Sequence, residues 1–154
     1  MAETKVFVQP PRRVQVGASL HPPIVVVMSS PAGTYRGNLF ADAHVHHNEN
    51  AESFRDALNG GKTANGFVGQ AQTAQKDVCL FSWPDLAFAV SGSFSLRIDV
   101  FEANGAGATI IGSVRTREII VTEEPVLGKA VLPEERQALQ IAKDWGSLPQ
   151  AFRI

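Results

Sequence analysis

The sequence predicts an all-β domain: a sandwich of antiparallel strands closed by one C-terminal helix. Three observations carry the prediction. Phe94, Leu96, Ile98 and Val100 alternate with Ser93, Ser95, Arg97 and Asp99, the period-two pattern of a strand with one face in a core. The run Pro23-Ile24-Val25-Val26-Val27-Met28 is mostly β-branched and apolar on both faces, as a central strand is. Helical spacing emerges clearly only near the end, where Ala138, Leu139, Ile141, Ala142 and Trp145 form a stripe. About seven strands and one helix in 154 residues make a single domain, 1–154, large enough to bury a real core.

The elements follow in order. Val6-Phe7-Val8 opens a short strand, and Gln9-Pro10-Pro11-Arg12-Arg13 interrupts it, since proline removes ladder donors. Val14 and Val16 lead to the central run, which ends at the turn Ser30-Pro31-Ala32-Gly33. Asn38 to His46 alternates as another strand. Glu52 to Leu58 has room for one or two helical turns with Asn59-Gly60-Gly61 as the stop, and glycines 60, 61, 66 and 69 mark a mobile connection. Leu80 to Glu102 reads as two strands around a tight turn at Ser91-Gly92. After a second turn at Asn104-Gly105-Ala106-Gly107 come strands at Thr109–Val114 and Glu118–Thr122. Pro133 at the first helical position and the acidic Glu134-Glu135 favour the start of a helix that Gly146 ends, and Phe152-Arg153-Ile154 reads as a last short strand.

Composition narrows the function. Apolar content of 44% and 19% charged residues are ordinary for a globular chain, and the formal charge of −1 confines any nucleic-acid site to a local patch. No apolar run has membrane-spanning length, and the first residues lack the pattern of a signal peptide. Cys79 is the only cysteine, which fits a reducing compartment, cytosol or nucleus, and its apolar setting makes it a core residue rather than a nucleophile. His44 and His46 share a strand face at a spacing able to chelate zinc, with His47 beside them, but spacing marks no further ligand, so they read first as a polar strand end, with a metal-dependent enzyme built on the three histidines as the lesser alternative. The glycines near Lys62-Thr63 do not make a phosphate loop, because position 56 is not glycine and no helix pattern follows. No serine stands in a nucleophile elbow, and no enzyme signature or cofactor motif is present. Arg12-Arg13, with Lys5 nearby, is a basic cluster whose guanidinium forks match phosphate oxygens.

Two segments resemble the fungal velvet domain family. The first is Val6-Phe7-Val8-Gln9-Pro10-Pro11-Arg12-Arg13-Val14-Gln15-Val16-Gly17 followed by His21-Pro22-Pro23-Ile24-Val25: an extended stretch, a Gln-Pro, basic residues, a glycine and a Pro-Pro-Ile-Val strand. The second is Phe81-Ser82-Trp83-Pro84-Asp85-Leu86 through Gly92 and Phe94-Ser95-Leu96-Arg97 to Phe101-Glu102: an aromatic-Pro-Asp-Leu strand, a glycine turn and a strand ending in Phe-Glu. The two segments keep the family's order, and the terminal helix resembles the domain's close.

The resemblance implies an immunoglobulin-like sandwich akin to the DNA-binding domain of Rel-type factors. It also implies a nuclear, dimeric regulator of development, sporulation and secondary metabolism that shuttles with the cytoplasm, pairing with itself or another velvet-type protein. DNA would be met through the N-terminal loop: Arg12 and Arg13 on phosphate or base edges, Gln9 on a base, Gly17 as backbone pivot and Lys5 as a further cation. The chain departs from the family in two places. The basic insert that follows the glycine is replaced by Ala18-Ser19-Leu20-His21, and the basic stretch before the helix shrinks to Gly128-Lys129-Ala130-Val131. Losing about four cations removes much of the phosphate-driven affinity, which leaves room for an interaction module that dimerises without touching DNA.

Overall fold

The computed structural model describes residues 3–35, 37–46, 57–68, 76–127 and 131–154. Its described strands are β1 (Glu3–Val8), β2 (Arg13–Gln15), β3 (Ile24–Pro31), β4 (Asn38–His46), β5 (Leu58–Asn59), β6 (Thr63–Asn65), β7 (Phe67–Val68), β8 (Lys76–Trp83), β9 (Ala87–Phe88), β10 (Gly92–Asn104), β11 (Gly107–Arg115) and β12 (Ile119–Thr122), followed by the helix α1 (Pro133–Asp144). Strands in the order β1-β3-β8-β7 form one sheet, and β2-β12-β10-β4-β6 form the other, with β11 also on β10; β5 and β9 pair at one end.

The two sheets close on a core in which Ile24, Val26 and Met28 of β3 and Phe81 and Trp83 of β8 meet Leu96, Ile98 and Val100 of β10. The expected sandwich is therefore present, and the alternation along β10 sorts inside from outside as the sequence predicts. The first sheet is buried on its other side too. Val8, Val25 and Leu80 pack against Ala138, Leu139 and Ala142 of α1, which explains why β3 and β8 are apolar on both faces. Fully burying Leu139 stabilises this third layer by about 2 kcal/mol. The helix begins at Pro133, with the Glu135 carboxylate accepting the Leu132 N–H at 3.0 Å, and Gly146 ends it at φ +84°.

Several local expectations are corrected. β8 and β10 are not a hairpin: they lie in different sheets, separated by the turn at Pro84-Asp85 and by β9, which pairs with β5. Adjacent apolar runs mimic a hairpin, but β8 needs cover on both faces and β10 on one, so the chain crosses the sandwich between them. Leu58 belongs to β5 rather than to a helical turn, and residues 52–56 of that expectation lie outside the described residues. Gly66 is no loose linker: a Cβ there would stand 2.6 Å from Cys79 Sγ and 2.9 Å from Phe81, so β6 and β7 approach β8 only because this residue has no side chain. Phe152-Arg153-Ile154 is not a strand; Phe152 and Ile154 pack beneath α1 instead.

One edge of β10 serves two partners in turn. Gly92–Phe94 pair with β12, and Arg97–Asn104 pair with β11. Leu96 falls at the changeover, where its N–H would be left without a ladder partner. The buried hydroxyl of Thr116 accepts it at 3.0 Å and donates to the Arg117 carbonyl, while the Thr116 N–H bonds the Leu96 carbonyl at 2.8 Å. Thr116→Val keeps the shape and orphans that donor. Urea denaturation is expected to show a loss of about 1–3 kcal/mol.

Cys79 sits in the core with its thiol pushed by burial from 9.0 up to about 12, a backbone hydrogen bond from Phe67 pulling weakly the other way. The folded protein therefore holds this proton more tightly than the unfolded chain. The stability contributed is complete below pH 9.0 and is lost as pH rises towards about 12. A thiol reagent at neutral pH should label Cys79 only at the rate of unfolding, followed by mass shift with and without denaturant.

Candidate nucleic-acid interface

The chain leaves β1 at Val8 and crosses from the first sheet to the second through Gln9-Pro10-Pro11-Arg12. Two prolines keep this crossing extended and without ladder donors. It is held from below by Arg117. The Arg117 Nε and Nη2 donate to the Pro10 carbonyl at 3.0 and 2.8 Å, and the Arg117 backbone N–H donates to Gln9 Oε1 at 3.1 Å. The crossing then joins the second sheet. The Ile120 N–H bonds the Arg12 carbonyl at 2.8 Å, and β2 runs parallel to β12 with Arg13 opposite Ile120.

This anchoring decides where the predicted residues point. Val14 is buried, so its neighbour Arg13 faces outward, and Arg12 is exposed on the crossing itself. Neither arginine forms an ion pair with any described residue. Arg117 sets a further guanidinium close to that of Arg12. Burial lowers its pKa first, the charge of Arg12 lowers it further, and Glu135 at the start of α1 partly opposes both. The mutual repulsion of Arg12 and Arg117 is what an incoming anion would relieve.

The other predicted residues play different parts. Gln9 is half-buried, and its amide oxygen is engaged by the Arg117 N–H. Gly17 is at φ +82° just after β2, and its N–H bonds the Phe88 carbonyl of β9 at 2.9 Å. Lys5 stands apart from the arginines. It lies on the helix side of β1, on a cavity of about 270 Å³ with Phe7, Val27, Leu80, Ile141 and Trp145.

A second polar cluster lies on the face of the second sheet turned away from the core. Asp99 accepts Arg97 Nε at 3.0 Å and Ser113 Oγ at 2.8 Å on one oxygen, and His44 Nε2 lies 3.6 Å from the other. These residues sit side by side on β4, β10 and β11, with Arg97 opposite both His44 and Arg115. His44 thus faces a carboxylate. His47 lies outside the described residues, and among those described no three His, Cys, Asp or Glu side chains converge as a metal site would require. Sequence reasoning missed Arg117 and this cluster. The only signal for the first is the alternation Arg115-Thr116-Arg117, and the second exists only through cross-strand register.

No family model matches the chain, and no curated protein matches its sequence. Among the described residues no helix is long and apolar enough to cross a membrane.

Gly17→Ala meets no steric obstacle, since nothing lies within 4 Å of the added carbon. It is nevertheless expected to cost about 1 kcal/mol, because an L-residue resists positive φ. Thermal denaturation of the variant measures this.

Proposed function

We propose that this chain is a divergent velvet-type regulator, with a Rel-type sandwich that meets double-stranded DNA through the crossing between β1 and β2. It acts in the nucleus as a homodimer or heterodimer in the control of fungal development, sporulation and secondary metabolism. The family assignment is supported by the two resembling sequence segments. The geometric observation that carries the DNA part is the exposure of Arg12 and Arg13, without ion-pair partners among the described residues, with the clasped guanidinium of Arg117 close to that of Arg12. Two free guanidiniums on a proline-stiffened segment lose little freedom when they bind phosphate, and each phosphate neutralised releases condensed counterions. The Gln9 amide oxygen accepts the Arg117 N–H, which leaves its NH2 group as a donor for a base edge beside the arginines, and with so few cations affinity is modest and strongly salt-dependent.

The measurement is a salt titration of duplex DNA binding. Arg12→Ala with Arg13→Ala should weaken binding and make the slope of log affinity against log salt shallower by about 2, at 0.9 per phosphate contact. Binding unchanged in the double variant removes the assigned site. A chain that binds no duplex even at low salt, yet self-associates, supports the second reading: a dimerisation module on the same fold. That reading is favoured by the engagement of the Gln9 amide oxygen within the fold.

A further inference from the structure

The helix does not cover the whole outer face of the first sheet. α1 approaches through Ala138, Leu139 and Ala142, which close over Val8, Val25 and Leu80. Beside this contact, Lys5 and Phe7 of β1 are exposed, and Val27 of β3 and Val78 of β8 are half-buried. Between them and the flank of α1 that carries Ile141 and Trp145 lies the cavity of about 270 Å³. A dry cavity of about 150 Å³ holds one benzene ring, so there is room here for roughly two fused rings. Two cross-strand rows run over its floor. Lys5 stands opposite Val27, which stands opposite Leu80; Glu3 stands opposite Ser29, which stands opposite Val78. The first row ends at a buried leucine and the second at a half-buried valine, so the Lys5 row leads into the deeper part.

We propose that this cavity is a binding site for a small two-ring aromatic carboxylate. The rings fill the space between Trp145 and the floor of Val27 and Leu80, with Phe7 to one side. The carboxylate meets the ammonium of Lys5, whose apolar stem continues the row. Lys5 forms no ion pair with any described residue, so its charge is available to a ligand. The apolar walls strengthen the attraction, because they lower the local dielectric around the pair. Glu3 lies one row further out on the same strand, where its charge opposes the anion and costs part of the affinity. Arg12 and Arg13 take no part in the site, which does not rest on the DNA reading.

Calorimetric titration of the whole chain with naphthoate tests the site, with naphthylmethanol and naphthylmethylamine as the neutral and cationic counterparts. The acid should bind once per chain and about tenfold more tightly than the alcohol, with the amine weakest. Lys5→Met keeps the apolar stem and removes the charge. It should bring the acid down to the affinity of the alcohol and leave the alcohol unaffected, while Glu3→Gln should tighten the acid. In a proton NMR spectrum the indole N–H of Trp145 should shift on binding. That of Trp83, buried and bonded to the Lys62 carbonyl, should stay. Arg12→Ala with Arg13→Ala should leave all three affinities unchanged, which separates this test from the DNA reading. Absence of naphthoate binding overturns the proposal, and so does equal binding of the three compounds, an amine preferred to the acid, or an unmoved Trp145 signal.

Discussion

The change of partner along one edge of β10 depends on one small set of hydrogen bonds, those between Leu96 and Thr116. β10 keeps β4 along one edge and must serve two strands on the other, and a ladder cannot change partners without a gap. A hydroxyl that accepts from the strand and donates to its own chain fills that gap with protein rather than water. This permits Leu96 to sit in the dry centre of the sandwich with its backbone paired. β12 can then turn away to accept β2, and the crossing from β1 has somewhere to land.

The arginine group is built outward from that point. Residue 117 directly follows the threonine, and its backbone and side chain together take hold of Gln9 and Pro10. The Arg12 and Arg13 side chains are left to solvent because the segment is ordered by backbone groups and by the side chains of other residues. Chemistry able to grip an anion is thus separated from chemistry that holds the loop. The amide oxygen of Gln9, a residue that sequence reading places among the binding groups, stands on the holding side of that division.

Much of the architecture is legible in the sequence because burial imposes period. The alternation along β10, the doubly apolar β3 and the stripe on α1 each name their own environment. What is not legible comes from long-range pairing. Nothing local distinguishes a hairpin from two strands that part into opposite sheets, so β8 and β10 read as neighbours. Gly66 reads as a spacer because its purpose, room for Cys79 and Phe81, lies in another strand. At the candidate site Arg12 and Arg13 stand out as an adjacent pair, whereas Arg117 gains its role only by meeting the crossing, and the Asp99 cluster needs three strands in register.

The junction at residues 116 and 117 joins two mechanical circuits through one peptide unit. Its first residue closes the seam of the sheet, and its second closes the clasp on the loop. A displacement of the tip is therefore coupled to the seam through adjacent residues of the backbone. Occupancy of the arginine tip would register as stiffening deep in the sandwich, and damage to the seam would be felt first as a loosening of the tip.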